Sequence, residues 1–144
     1  MIGKTIDELK VGDTAEFTKT VSEADIYLYA GVTGDVNPVH IDEVHASNTF
    51  FKTRIAHGML LGGFISTVIG NRMPGHGTIY IKQELSFLAP VHIGDTVTAQ
   101  AEVVEVIKEK NRVKLRTTCL NQEGTTVVDG EALVSPPKAP KDSG

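Results

Sequence analysis

Two side chains that can exchange protons lie five residues apart, on a segment rich in turn-forming residues. The segment Thr33–Ser47 reads TGDVNPVHIDEVHAS, and it carries Asp35 and His40 on either side of Asn37-Pro38. Proline fixes its own φ and pushes the preceding residue toward extended backbone, so we expect a rigid, non-helical turn. A carboxylate and an imidazole held on such a turn can act together as a general acid and a general base.

A hydrogen-bond donor for a substrate carbonyl is predicted at the start of an apolar helix. The run GMLLGGFISTVIGN has helical length, which predicts a buried helix over Gly58–Asn71. The first N–H groups of a helix have no partner within it. The N–H of Gly58 could therefore stabilise a carbonyl oxygen that gains negative charge. The pair and the donor together predict acid/base chemistry beside a carbonyl group.

Three stretches carry a more specific signal: YAGVTGDVNPVH, then IAHGML, then IYIKQELSFLAPVHIGD. They resemble the (R)-specific enoyl-CoA hydratases, the MaoC-like dehydratases of hot-dog fold, and the resemblance covers roughly residues 5–135. It implies reversible hydration of a trans-2-enoyl-CoA to an (R)-3-hydroxyacyl-CoA. It also implies that Asp35 and His40 are the acid/base pair, that the Gly58 N–H binds the thioester oxygen, and that Ser66 assists in positioning. We further expect Asn37 to help hold the water or the loop.

Other interpretations of the same residues remain open from the sequence. Asp35 could serve only an Asx turn, and His40 could be a structural histidine. A hot-dog thioesterase is an alternative enzyme, although residues 58–71 contain none of the Asp or Glu that such enzymes carry there. A non-catalytic acyl-thioester-binding subunit of a dehydratase is the second alternative. Ser66 has no G-x-S-x-G sequence around it, so we do not expect a nucleophilic role.

The sequence predicts neither a metal nor an organic cofactor. His40, Asp42 and His45 could suggest a metal site, but on a helix the two histidines would lie about 140° apart. Addition of water involves no net redox change, so neither flavin nor nicotinamide is required. His57, which precedes Gly58, is expected only to orient the loop.

Bulk properties predict a single domain over residues 1–135 and a disordered, proline-rich tail over 136–144. The net charge of −4 gives no basic footprint for nucleic acid or an anionic membrane. Lys52 and Arg54 are the nearest candidates for contacting an anionic group. No window is long enough to span a bilayer and the N-terminus has no signal-peptide core, so we expect a cytoplasmic protein. The single cysteine, Cys119, is expected in the core.

The order of predicted elements is that of an α+β fold with an antiparallel sheet. Ser22 is expected to cap a helix that runs to about Val32 and buries Ala24, Leu28 and Val32. A bulge is expected near Val103, and Gln83 is expected to turn its amide inward. Strands are predicted over residues 14–21, 78–88, 96–107, 112–121 and 125–134. The resemblance implies a hot-dog sheet around the Gly58 helix and a homodimer or higher homo-oligomer, with CoA or an acyl-carrier protein as the thioester carrier.

Overall fold

The computed structural model describes residues 1–140, in which one antiparallel sheet curves around one long helix. The strands are β1 (Thr14–Thr20), β2 (Ile79–Phe87), β3 (Thr96–Ile107), β4 (Arg112–Leu120) and β5 (Thr126–Ser135), and the helices are α1 (Glu23–Thr33), α2 (Pro38–Ile41), α3 (Glu43–Ser47) and α4 (Gly58–Asn71). The sheet order is β1-β3-β4-β5-β2, and all neighbours are antiparallel. This arrangement confirms the predicted α+β hot-dog fold. No helix in the described part of the chain is both long and apolar enough to cross a bilayer.

The core lies between α4 and the concave face of the sheet. Alternate residues of each strand point to one face, and on β3, β4 and β5 the buried apolar residues are mostly small or β-branched. Each large side chain buried here contributes about 1.5–3 kcal/mol relative to an exposed position. Cys119 is one of the buried core residues, as predicted, and burial raises its pKa to about 12. The helix contributes Leu61, Phe64, Ile65, Val68 and Ile69, and the strands contribute Val97, Ala99, Ala101, Val103, Val113, Leu115, Cys119, Val127, Val128, Ala132 and Val134.

The structure tests two local predictions for the strands. The register of β3 against β4 shifts between Val103 and Glu105, which confirms the predicted bulge. Gln83 in β2 turns its amide inward, where Nε2 donates to Thr117 Oγ1 over 2.9 Å and to the Glu84 carbonyl over 2.9 Å. The inward amide is thus satisfied by protein groups. On β5, at the position paired with Leu85, a Cβ on Gly130 would lie 1.8 Å from the Glu84 carbonyl oxygen, so only glycine fits between β5 and β2.

The first helix begins where the sequence predicts but buries a different face. Ser22 is its N-cap, as expected. Leu28 and Val32, expected inside, are 67% and 85% exposed, whereas Ile26 and Ala30 are buried. The prediction was wrong because α1 has apolar residues on both sides, so spacing alone could not decide which side is buried.

The chain after β5 remains packed for two residues. Pro136 and Pro137 are buried, and the Pro136 carbonyl accepts a hydrogen bond from Asn111 Nδ2 over 2.9 Å. Gly77 lies against the Pro137 ring. The first residues of the predicted tail are therefore held against the domain, and residues 141–144 lie outside the described residues.

Candidate active site

The turn that carries Asp35 is shaped by the end of α1. Gly34 has a φ of +82°, in the left-handed region that favours glycine, and its N–H donates to the Ala30 carbonyl over 2.9 Å. Asp35 follows, with its N–H bonded to Thr33 Oγ1 over 3.2 Å. Asp35 Oδ1 accepts the Asn37 N–H over 3.4 Å, which leaves the other carboxylate oxygen available. The Asx turn considered from the sequence is thus present, and it orients the carboxylate without occupying all of it.

The segment after this turn is helical, contrary to our prediction. Pro38 is the first residue of α2, and Asn37 is its N-cap, with Oδ1 accepting the Val39 N–H over 3.3 Å. A proline at the first helical position loses no hydrogen bond, because that N–H would have no partner in the helix anyway. The single turn of α2 brings His40 to a buried position, 9% exposed. Asn37 shapes the loop from outside the cavity lining.

The ring of His40 is held in one orientation by the backbone of the 55–56 segment. Its Nδ1–H donates to the Ile55 carbonyl over 2.7 Å. The Ile55 N–H donates to the Val39 carbonyl and the Ala56 N–H to the Val91 carbonyl, so that acceptor is itself fixed. Because a carbonyl can only accept, the proton must be on Nδ1, and Nε2 is the nitrogen free to exchange a proton. Burial lowers the pKa of His40, an effect that the Ile55 carbonyl opposes.

Arg54, expected as a contact for an anionic group, is already engaged by the protein. Its Nε donates to Glu43 Oε2 over 3.1 Å, its Nη2 donates to Glu23 Oε2 over 2.7 Å, and its Nη1 donates to the Tyr27 hydroxyl over 2.7 Å. The bonds to Glu23 and Glu43 raise the pKa of Arg54. The guanidinium therefore links α1 and α3 to the segment just before Ile55. Lys52 is exposed, so it remains the candidate of the two for contacting an anionic group.

A residue to which the sequence assigned only loop orientation lies inside the site. His57 is 2% exposed, and its Nε2–H donates to the Asp35 carbonyl over 2.9 Å. Its ring stacks on that of His40, with centroids 3.8 Å apart and planes 28° apart. A carboxylate oxygen of Asp35 and one ring nitrogen from each of His40 and His57 all lie within 4.8 Å of one another. No spacing rule reveals His57, because it is separated from Asp35 by 22 residues.

These groups line a cavity of about 490 Å³ with mostly apolar walls. Gly58, the first residue of α4, also lines it, and no acceptor within residues 1–140 takes the Gly58 N–H. A Cβ on Gly58 would lie 2.7 Å from ring atoms of Phe87, so the absence of a side chain lets that wall close in. The apolar lining consists of Phe50, Phe51, Ile55, Ala56, Met59, Leu61, Phe87, Leu88, Ala89, Pro90, Val91 and Val128.

Ser66 is not brought to this cavity within a single chain. It lies two turns along α4 from Gly58, is exposed, and is not part of the lining. Its predicted part in positioning stays a prediction.

The possible donor set of a metal site shares only His40 with the set considered from the sequence. Asp42 caps α3 by accepting the His45 N–H over 3.1 Å. Asp35, His40 and His57 converge instead, and two histidines with a carboxylate can bind transition metals. Each histidine, however, already donates a hydrogen bond from one ring nitrogen to a backbone carbonyl. The expectation that no metal is needed stays a prediction.

Comparison with known proteins gives one consistent family. Residues 8–125 match the model of the MaoC-like domain. The chain is 53% identical over 131 residues to an (R)-specific enoyl-CoA hydratase of Rhodospirillum rubrum, covering 91% of this chain and 90% of that protein. It is 48% identical over 132 residues to a 3-hydroxybutyryl-CoA dehydratase of Methylorubrum extorquens, covering 92% and 83%. The solved structure of the R-hydratase PhaJ1 from Pseudomonas aeruginosa aligns with a TM-score of 0.91 at 47% identity, covering 95% of this chain and 88% of that one.

Proposed function

This chain belongs to the MaoC-like domain family, and from that premise we propose that it is a hydro-lyase whose protons are moved by Asp35 and His40. The reaction is the reversible addition of water to a trans-2-enoyl-CoA, which gives an (R)-3-hydroxyacyl-CoA. The observation that carries the proposal is the convergence of a carboxylate, an imidazole and a free helix N–H on one apolar cavity. The names of the relatives supply the substrate class and the stereochemistry.

Substrate activation begins at the thioester carbonyl. Its oxygen accepts a hydrogen bond from the Gly58 N–H, at the positive end of α4, which draws electron density away from the double bond. The β carbon then becomes electrophilic. The mostly apolar walls of the cavity lower the local polarity, which strengthens this interaction relative to one made in bulk water.

The proton transfers are divided between the two side chains. In hydration, the Asp35 carboxylate accepts a proton from a water whose oxygen bonds to the β carbon. The Nε2–H of protonated His40 gives a proton to the α carbon, and the π electrons of the double bond form that new C–H bond. Dehydration reverses each step, starting from neutral His40 and protonated Asp35. Because one group must be ionised and the other protonated, the pH profile is bell-shaped.

The lowered pKa of His40 suits a group that must work in both directions. Neutral His40 presents the bare Nε2 that accepts the α proton in dehydration. A group with a lowered pKa is also a stronger acid once protonated, which favours transfer to carbon in hydration.

The assay that tests the proposal follows two products at once. The purified single chain is incubated with trans-2-butenoyl-CoA, and loss of enoyl absorbance is compared with release of free thiol. Loss of absorbance without thiol, with (R)-3-hydroxybutyryl-CoA identified by chiral chromatography, is the expected result. Thiol release would indicate the thioesterase, and neither signal would indicate a binding subunit. Repeating the assay with the acyl-carrier-protein thioester distinguishes the two carriers.

We also propose that the chain assembles as a homodimer through β2. This strand pairs with β5 on one side only, and a strand with an open edge favours pairing with another chain. Its exposed side chains include Ile79, Ile81 and Phe87, which are 64%, 44% and 53% exposed. Light scattering of the purified protein tests the dimer, and the expected cytoplasmic location is tested by cell fractionation.

A further inference from the structure

The mechanism proposed above leaves one buried histidine of the site without a task. His57 is 2% exposed, and its Nδ1 is one of two buried side-chain polar atoms among the described residues that have no hydrogen-bond partner. Because Nε2 holds the ring proton for the Asp35 carbonyl, Nδ1 carries a bare lone pair into an enclosed space. An unpartnered buried acceptor costs free energy that an apolar residue of similar shape would avoid. Folding alone therefore does not explain a histidine at this position.

We propose that His57 is a positioning residue that aligns both members of the proton-transfer pair, with Nε2–H fixing the Asp35 turn and the ring face supporting His40. The inference rests on the proposed hydratase function for its catalytic consequence. It rests on the geometry alone for the two contacts.

The first contact fixes the position of Asp35 from behind. The Asp35 side chain is exposed, and the other hydrogen bonds of its turn either stay within the turn, at 3.0, 3.2 and 3.4 Å, or reach back to Ala30 in α1. The bond from His57 is 2.9 Å long, and it comes from the residue that caps α4. It is thus the link between the Asp35 turn and the helix whose first N–H faces the substrate.

The second contact defines the plane of the His40 ring. The bond from Nδ1–H to the Ile55 carbonyl fixes one atom of the ring but leaves rotation about that bond open. The His57 ring, stacked with its centroid 3.8 Å from that of His40, blocks rotation toward that side. The Tyr29 ring packs against His57 in turn, with their centroids 4.6 Å apart. The titratable side chains that face His40 are Asp35 from the turn, His57 from the α4 cap and, behind it, Tyr29 from α1. The 87–91 wall contributes only apolar side chains.

Two replacements separate the two contacts. His57→Phe keeps a flat ring for stacking and removes the donor to Asp35. His57→Gln keeps an amide donor at about the distance of Nε2 and removes the ring. The same two replacements at exposed His45, outside the cavity, are the controls.

The expected result is a fall in kcat of about 10–100-fold in both variants, with KM within about threefold of the parent protein. Thermal unfolding of His57→Phe stays close to the parent temperature, because loss of the unpartnered nitrogen offsets loss of the hydrogen bond to the Asp35 carbonyl. In His57→Gln the alkaline limb of the pH profile of kcat/KM moves to higher pH, because loss of the stacked ring relieves the burial that lowers the pKa of His40. A histidine that merely fills space predicts the opposite: lower unfolding temperature, with normal kcat and an unchanged profile.

A readout that does not depend on turnover completes the test. NMR of ¹⁵N-histidine protein reports the proton on His57 Nε2 and the pKa of His40. The inference predicts a single Nε2–H tautomer at His57 and a pKa of His40 that is higher in His57→Gln, which removes the stacked ring, than in the parent protein. A kcat within twofold of the parent in both variants, or a His40 titration that does not respond to either, overturns it. Absence of hydratase activity in the parent protein would refute the proposed function, and the NMR result would still decide the two contacts.

Discussion

Replacing Gly58 with alanine tests whether the start of α4 meets the substrate. The added Cβ would lie 2.7 Å from Cδ1 and Cε1 of Phe87, about 1 Å closer than carbon atoms normally approach. Because Phe87 is 53% exposed, its ring can move away, so the overlap costs less than it would in a closed core. Overpacking costs about 1–3 kcal/mol, and alanine in a helix returns about 0.5–1 kcal/mol. We expect a net loss of stability of about 0–2.5 kcal/mol.

The effect on catalysis is expected to be larger than the effect on folding. The methyl group and the displaced Phe87 ring both enter the cavity where the thioester must approach the Gly58 N–H. We expect kcat/KM for enoyl-CoA hydration to fall at least tenfold, which corresponds to about 1.4 kcal/mol of lost transition-state stabilisation. Gly31→Ala in α1 is the matched control, since its Cβ would meet nothing within 4 Å. It should gain stability and keep full activity.

The measurement is initial-rate kinetics beside thermal unfolding for the parent and both variants. A Gly58→Ala enzyme whose kcat/KM stays within twofold of the parent would show that the substrate carbonyl binds elsewhere. Equal losses in both variants would show that the assay responds to helix glycines in general and not to this wall.

Three further predictions follow from the site. Arg54→Lys should lower kcat several-fold with little change in KM, because one ammonium cannot hold the three partners that fix the segment before Ile55. The control, Lys52→Ala at an exposed position, should leave kcat unchanged. The free energy of unfolding should fall as pH drops below about 6.5, because the pKa of His40 is lower in the folded protein and the unfolded chain therefore binds a proton more readily. Denaturant titration of His40→Gln should show a smaller fall over the same pH range. Ser66→Ala should reduce turnover less than a change at the proton-transfer pair does. A loss as large as that of Asp35→Asn would give Ser66 a direct part in the chemistry.

Much of the fold could be predicted because its signals are local. The bounds of α4 follow from an apolar run that opens at Gly58, and the bulge follows from a phase change in the alternation after Val103. The buried face of α1 could not be predicted, since Leu28 and Ile26 are both apolar and only the tertiary packing selects between them. The short α2 was missed because Pro38 was interpreted as a helix breaker, although at a first helical position it favours a helix.

The site was predictable where one segment carries it and not where distant segments meet. Asp35 and His40 lie on one turn, so their spacing indicated a pair. The partners that orient them come from elsewhere: the Ile55 carbonyl binds His40, and His57 binds Asp35 across 22 residues. A histidine directly before the glycine of an apolar helix was the only sequence signal for His57. Arg54 shows the converse, because a cation near the site in sequence is neutralised by Glu23 and Glu43 in the fold.

The central claim is tested most directly by the hydration rate of two purified variants, Asp35→Asn and His40→Gln. Each keeps the size of its side chain and removes one proton-transfer group. We predict that each lowers kcat for trans-2-enoyl-CoA at least a hundredfold. Thermal unfolding should remain close to that of the parent. Near-normal hydration by either folded variant would contradict the account.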